Sequence, residues 1–336
     1  MPLALTKTFP RLWSLDAGMA MVVTDLHGER DVYQRYQDRF VDLQAKGQAD
    51  YLIFTGDLLH SDSPAQDDSL PIILDVLKLR TIYEDAVIYL CGNHELPHIY
   101  GFGLSKGTRE YTPAFEAALS GGACRSEVME LLVELPFFVR TAAGVSITHA
   151  GAADVMANAN NALKVLAWDH QQKLSEADAF LATQNVDGLR RAYTRLSQTD
   201  SYDDMATHYL AVTGLDDPRY DDLLRGFILT ANPDFQLLYS TLFTRCEQEY
   251  GLDEYAKILP LALQHLSIDY TSQQVLVAGH IAVKNGFQII LEKHLRLASG
   301  SHARPRDAGQ YLLFDTARPI EKAAELVIGL HTVYAT

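Results

Sequence analysis

Five short stretches set an Asp, Asn or His directly behind an apolar run. Gly92-Asn93-His94-Glu95 follows Val87-Ile88-Tyr89-Leu90-Cys91, Asp25-Leu26-His27-Gly28 follows Met19 to Thr24, and Gly56-Asp57-Leu58-Leu59-His60 follows Tyr51 to Thr55. His149-Ala150-Gly151 comes after Val145 to Thr148, and Gly279-His280 after Val275 to Ala278. Carboxylates, an amide oxygen and imidazoles are hard and borderline donors that suit Mn, Fe or Zn and leave positions open for water and substrate. Two such ions roughly 4 Å apart clamp both oxygens of an in-line displacement and turn a bridging water into a hydroxide nucleophile. Asn93 beside His94 sets a metal ligand next to a proton donor, and Gly92 lets the backbone turn sharply there. A lone His149 or His280 at a strand end is more often a satisfied polar residue than a ligand; the joint pattern reverses that.

The elements that must position these residues are legible around them. Short β-branched apolar runs read as buried strands, and in an open α/β sheet ligands sit beyond the carboxyl ends of the strands. Between the first two strands, Arg30 to Lys46 carries Val32, Tyr33, Tyr36, Phe40, Val41 and Leu43 at helical spacing and closes on Gly47. Pro71 to Tyr83 forms a second amphipathic helix, giving βαβαβ and a parallel sheet with right-handed crossovers. Thr112 to Leu119 and Ser126 to Val133 are expected helices, and Phe137 to Arg140 with Val145 to Thr148 a hairpin around Ala142-Ala143-Gly144. His98 to Thr112 is Gly- and Tyr-rich, an irregular wall of the site. Residues 152–269 recur at helical spacing and read as a helical insert, a cap between a first core part (1–151) and a second (270–336). The second part is expected to hold short antiparallel strands at Val275 to Ala278, Phe287 to Leu291, Leu295 to Ala298, Tyr311 to Phe314 and Glu325 to Leu330.

Composition narrows the classes. The 336 residues are 48% hydrophobic, enough for a sizeable core. The net charge of −15 argues against a nucleic-acid groove, which needs clustered Lys and Arg. Met1 to Arg11 lacks a long apolar segment and no uncharged run could span a bilayer, so a cytoplasmic protein without a membrane anchor is expected. Cys91, Cys124 and Cys246 are too few and scattered for a disulfide framework or a thiolate site and read as small hydrophobes.

Together the blocks DLHG, GDLLH, GNHE, HAG and GH, in this order, resemble the calcineurin-like metallophosphoesterases, and within them the phosphoprotein phosphatase branch with its dinucleoside-tetraphosphatase relatives. The resemblance covers about residues 19–150 and 270–316 and implies a four-layer α/β/β/α sandwich with a dinuclear centre. It makes Asp25 and His27 ligands of one metal, Asp57 the bridging carboxylate, and Asn93, His149 and His280 ligands of the second. Asn93 would also touch substrate, and His94 would protonate the leaving oxygen after attack by the bridging hydroxide. Implied substrates are phosphomonoesters, whether small molecules or phosphoserine and phosphothreonine in proteins. A nucleotide phosphoanhydride hydrolase is the rival enzyme, and a non-catalytic scaffold the rival outside that class.

The match departs from that branch at several positions. Where the branch has an Asp that orients the acid histidine and an Arg that grips phosphate, this chain has His60 and Ser61. Asp62 is the expected substitute for that carboxylate. Ala278 stands where an Arg often precedes Gly-His, so the phosphate clamp is expected from elsewhere; Arg245, in Leu242-Phe243-Thr244-Arg245, resembles the aromatic-x-Arg stretch that some relatives place between the His-Ala-Gly and Gly-His blocks, and that resemblance implies it as the clamp. Ile281-Ala282 after His280 breaks the Gly-His-x-His form of many relatives, so the first metal is expected to have fewer protein ligands. Glu95 is expected to be structural, accepting hydrogen bonds beneath the site, and Trp168 to pack in the core. His98, His170, His208, His265, His294, His302 and His331 lack block context and read as ordinary histidines.

Overall fold

A computed structural model describes residues 5–63, 66–199 and 201–334. Two large sheets stack face to face. One runs in the order Leu330–Thr332, Gln310–Asp315, Met19–Val23, Tyr51–Phe54, Val87–Tyr89, and its last three strands are mutually parallel. The other runs Leu5–Phe9, Leu12–Leu15, Phe138–Thr141, Val145–Thr148, Val275–Ala278, His294–Leu297, Phe287–Ile290. Side chains alternate across each strand, so one sequence serves two cores. Ala20, Val22, Tyr51, Ile53, Ile88 and Leu90 meet Val139, Val145, Ile147, Val275, Val277, Leu295 and Leu297 between the sheets. Met21, Val23, Leu52, Phe54, Val87 and Tyr89 face the other way, onto the helices Arg30–Ala45 and Ser69–Tyr83. The second sheet turns Leu12, Phe138, Leu276 and Ile290 to its own outer layer, which includes Tyr255, Ile258, Leu259 and Ala262 of the helix Leu252–Leu266. The order helix, sheet, sheet, helix is the four-layer α/β/β/α sandwich.

Residues 152–269 hold helices and no strand among the described residues. They divide by what they cover. Ala159–Leu166 and Leu252–Leu266 pack in the outer layer just described. Tyr202, Met205, Leu210, Tyr220, Leu223 and Leu224 instead close a small core of their own. Its helix Tyr202–Leu210 lies against Thr112–Ser120, and Tyr209 and His208 both reach Glu110.

Three expectations need correction. Val275–Ala278 is parallel to both neighbours, Val145–Thr148 and His294–Leu297. It is buried on both faces, as parallel strands are, and an all-apolar run carries no information on direction. Glu325 to Leu330 is not a strand: Ala323–Gly329 is a 3-10 helix and the edge strand is Leu330–Thr332. Glu325 accepts from the backbone N–H groups of Glu321 (3.0 Å) and Lys322 (2.8 Å), which stabilises a helical start there. His98 to Thr112 is more regular than expected, with a helix Leu96–Tyr100 and a two-residue hairpin pairing Ser105–Lys106 with Arg109–Glu110. The antiparallel pair Leu5–Phe9 and Leu12–Leu15, unforeseen from sequence, adds the edge of the second sheet. No described helix is long and apolar enough to cross a membrane.

Candidate metal centre

The loops at the carboxyl ends of the parallel strands converge, and Asp57 is their hub. Asp57 Oδ2 lies 3.5 Å from His149 Nε2, 3.7 Å from His27 Nε2 and 3.9 Å from His94 Nε2. His149 Nε2 is 2.9 Å from Asn93 Oδ1 and 3.0 Å from His280 Nδ1. Asp25 accepts from the His280 backbone N–H through both oxygens, at 2.8 and 2.9 Å. Asp25, His27, Asp57, Asn93, His94, His149 and His280, read from sequence as parts of one centre, therefore lie together. Asp25, His27, Asp57 and His280 hold the left-handed backbone conformation, with φ of 46°, 45°, 51° and 69°. That conformation is strained for non-glycine residues and collects where function dictates geometry.

Glycines and one buried arginine hold the loops close. A Cβ on Gly279 would overlap Asp25 Oδ2, and one on Gly92 would overlap Asp57 Oδ1, so neither position admits a side chain without moving a carboxylate. Arg296, fully buried, donates to the carbonyls of Ala150 (2.7 Å) and Gly279 while Glu247 neutralises it, clamping the His149 and His280 loops together. Thr24 and Ser299 exchange hydrogen bonds of 2.9 and 3.1 Å, which tie the Asp25 loop to the loop carrying His302. Beneath the centre Glu95 accepts from the N–H groups of Asp57 (3.1 Å), Leu58 (3.2 Å) and Gly92 (2.7 Å) and from Tyr89 Oη (2.6 Å).

The donor set fits cations. His149 Nδ1–H donates to Thr55 O (3.0 Å) and His280 Nε2–H to Phe243 O (3.2 Å), which leaves His149 Nε2 and His280 Nδ1 as bare lone pairs 3.0 Å apart. Lone pairs facing each other repel unless a cation lies between them. Ligands about 2.0–2.2 Å from one ion fall about 3 to 3.5 Å from each other at ordinary coordination angles, which is the spacing found here. His27 Nε2 and His302 Nδ1 are buried without a hydrogen-bond partner, a costly state that a metal bond would relieve. Asp25, His27 and His302 form one compact ligand group and Asp57, His149 and His280 another.

Electrostatics agree with that reading. Burial pushes His27 and His149 down to about 4, and drives His94 and His280 well below the usual imidazole range, with neighbouring imidazoles adding to the shift. All are neutral at pH 7, the form that binds metal. Burial also pushes the Asp57 carboxyl well up, and the carboxylates of Glu95 and Asp25 push further, so its ionised form lacks a compensating cation within the protein. Against the effect of burial, His302, His149 and His27 hold Asp25 well below the usual carboxylate range.

Two expected residues lie elsewhere. Asp62 does not orient His94: its exposed carboxylate pairs with Arg109 and accepts from Tyr111 Oη (3.2 Å). The place it was expected to fill is taken by His60, whose Nδ1 is 3.0 Å from His94 Nδ1. Arg245 is exposed at the start of the short helix Cys246–Tyr250, its guanidinium on Gln248, two residues beyond the Phe243 carbonyl that meets His280. A cleft of about 440 Å³ beside the centre brings Arg30, Arg304 and Arg306 together with Ser61, Asp62 and Ser301. Sequence reading missed His302, 3.4 Å from Asp25 Oδ1 through its Nδ1. The signal was weak: Ser299-Gly300-Ser301-His302 follows the buried strand His294–Leu297, but His294 and Arg296 break the apolar run that marks the other blocks. Cys91 and Cys246 are buried and Cys124 half-buried, all three free.

A ligand set of this kind at the strand ends of an α/β/β/α sandwich defines the metallophosphoesterase fold. Residues 20–160 match the family model described as calcineurin-like phosphoesterase. None of the curated proteins matches the chain. Among solved structures, it is similar to a protein serine/threonine phosphatase from Saccharomyces cerevisiae with similarity to human phosphatase PP5, at 12% identity and TM-score 0.49, covering 98% of this chain and 85% of that one. A metallophosphoesterase from Sphaerobacter thermophilus is similar at 10% identity and TM-score 0.33, covering 92% of this chain and 91% of that one.

Proposed function

We propose that the protein is a metal-dependent phosphoric ester hydrolase acting on phosphomonoesters, small or protein-borne, in the cytoplasm. The observation that carries the reading is the convergence of His27, His94 and His149 on one oxygen of Asp57, each within 3.5 to 3.9 Å. Asp25, His27, Asp57 and His302 would hold one cation, and Asp57, Asn93, His149 and His280 a second; Mn, Fe or Zn suits these donors. When bound, the ions supply a nucleophile by acidifying water and offset the charge that phosphoryl transfer spreads over the equatorial oxygens. The chain's own part is to hold the reacting groups and move one proton. His94 turns Nε2 toward the hub while its backbone N–H donates to Asp57 Oδ1 (3.0 Å), so ring and carboxylate are fixed to each other. From there Nε2–H can reach a leaving oxygen as general acid. Asn93 would bond substrate from the same loop. Arg245 or the arginines of the neighbouring cleft supply the cations at the rim, and the helices of residues 152–269 cap the approach.

The test is hydrolysis of p-nitrophenyl phosphate and of an alkyl phosphate with Mn, Fe, Zn or Mg supplied. Asp57→Asn and His149→Ala are expected to remove activity together with bound metal. His94→Ala is expected to keep the metal and to slow the alkyl ester by about 10²-fold or more, the aryl ester far less, because only the poor leaving group needs a proton. Equal loss on both esters would remove the general-acid role. No hydrolysis with any of the four metals would favour the scaffold, and preference for dinucleotides over phosphopeptides the anhydride hydrolase.

A further inference from the structure

The wall beside His94 carries a guanidinium and a phenol that already hold a carboxylate between them. Ser105–Lys106 and Arg109–Glu110 pair as a two-residue hairpin. Its base is pinned by the Tyr111 N–H on Leu104 O (2.9 Å) and the Leu104 N–H on Thr112 Oγ1 (2.8 Å). Glu110 accepts from Tyr209 Oη and meets His208 Nε2 at 2.9 Å, so the helix Tyr202–Leu210 braces the hairpin from the segment 152–269. The neighbouring Arg109 reaches the opposite way, as successive strand residues do, and its guanidinium pairs with Asp62. Tyr111 Oη donates to the same oxygen, Asp62 Oδ1, at 3.2 Å. The Tyr111 ring lies 5.0 Å from that of His94 and stacks on His60 at 5.7 Å, so this wall flanks the acid histidine. Ser61 and Asp62 also line the cleft beside the centre, which gives a ligand room there.

In phosphoryl transfer the leaving oxygen departs in line with the attacking one, and it is the atom a general acid protonates. What flanks His94 therefore faces the leaving alcohol. Asp62 is the group a substrate would displace: its side chain is 70% exposed, so its carboxylate can turn out to water at little cost while Arg109 and Tyr111 stay in place. Other arginines near the centre are engaged elsewhere, Arg296 with Glu247, Arg30 with Asp75 at 2.9 Å and Arg306 with Glu29 at 2.5 Å. We infer that Arg109 and Tyr111 form a subsite for a carboxylate on the leaving alcohol, with Asp62 occupying it until substrate arrives. The preferred substrates are then phosphorylated hydroxy acids with a free carboxylate, rather than phosphomonoesters of neutral alcohols or phosphoserine within a polypeptide, whose carboxyl is an amide. One carboxylate replaces another at the same two donors, so the exchange needs no rearrangement of the hairpin. Arg109 and Tyr111 act on specificity, while the proton still comes from His94.

The inference rests on the hydrolase reading with His94 at the leaving oxygen, and its test lets the two fail separately. N-acetyl-phosphoserine and its methylamide differ by one negative charge on the leaving alcohol. With the full chain supplied with zinc or manganese, kcat/KM is expected to favour the free acid about tenfold, mostly through KM, and the preference to shrink as salt is raised. Arg109→Met is expected to bring the two esters within about twofold of each other by lowering the free acid alone. Asp62→Asn weakens the competitor and is expected to raise the preference about two- to threefold, and to have no effect in the Arg109→Met background. If the Arg109–Asp62 pair only held the hairpin in place, both single variants would lose in parallel on both esters. That result, equal rates on the two esters in the wild type, or a preference that survives Arg109→Met overturns the subsite. Calorimetric affinities for the non-hydrolysable phosphonate analogues of the two esters are expected to follow the same order. If the wild type hydrolyses neither ester, the proposed activity falls, and these affinities still decide the subsite.

Discussion

Glu95→Gln tests whether one carboxylate supports the whole centre. Glu95 Oε2 takes the N–H groups of Gly92 (2.7 Å) and Asp57 (3.1 Å), and Oε1 the Leu58 N–H (3.2 Å) and the Tyr89 hydroxyl (2.6 Å), so the loops bearing Asp57 and Asn93-His94 depend on it together. Burial raises its pKa, and these four donors pull it back. Glutamine can keep the oxygen that faces the two loops, and the Tyr89 hydroxyl can turn to accept from the new amide. The Leu58 N–H then faces an N–H. One buried donor left unpaired costs about 1–3 kcal/mol, and two bonds that lose their charge assistance about 1 kcal/mol more between them. Relief of the repulsion between Glu95 and Asp57 returns part of that. The net expectation is about 2–3 kcal/mol, measured by urea denaturation of the chelator-treated full chain at constant m. Tyr89→Phe removes one donor and is expected to cost only about 0.5–1.5 kcal/mol. Zinc affinity in competition with a chelating dye is expected to fall about 10- to 100-fold in Glu95→Gln, as when an outer partner of a ligand is lost. A urea midpoint equal to wild type with unchanged zinc affinity would refute the idea that Glu95 anchors both loops.

In the metal-free protein, His27 and His149 sit at about 4 against an ordinary 6.5, so between those values the unfolded chain binds protons that the fold refuses. Stability is therefore full above pH 6.5 and falls with acidification toward pH 4, by about 3 kcal/mol per histidine; a flat urea midpoint from pH 7 to 5 would contradict this. Gly279→Ala is expected to displace the Asp25 carboxylate and abolish hydrolysis while far-ultraviolet dichroism stays native, and a variant that retains activity would sink the close-approach argument. Glu247→Gln leaves Arg296 buried with only neutral partners and is expected to cost about 3–5 kcal/mol in the same denaturation assay. Asp62→Asn is expected to change the alkyl-to-aryl rate ratio less than twofold, because Asp62 touches Arg109 and Tyr111 rather than His94; a ratio like that of His94→Ala would restore it to the orienting role.

The sheets and their ligand loops were legible because each is local. A buried strand writes itself as a short apolar run, and the residue that matters comes immediately after it, as Asp25 after Met19–Val23 or His149 after Val145–Thr148. Strand direction was not legible, since Val275–Ala278 offers the same apolar surface to a parallel or an antiparallel neighbour. Nor was Ala323–Gly329 as a 3-10 helix, where a single carboxylate bonding two backbone N–H groups outweighs alternating hydrophobicity.

What the sequence hid is connectivity between groups that no pattern links. His60, His98 and Glu116 come from a loop, a short helix and a longer helix, separated by 38 and 18 residues in the chain. At each position taken singly the ordinary reading is the sensible one, because a buried histidine is more often satisfied than functional. Only in three dimensions do the three join His94 in one run of contacts, from His60 to His98 to Glu116. The same logic explains why Asp62 attracted attention wrongly. A carboxylate two positions past the expected one is the nearest chemical substitute along the chain, whereas His60 occupies the expected position itself and has the atom that matters, an Nδ1 at the reach of a carboxylate oxygen.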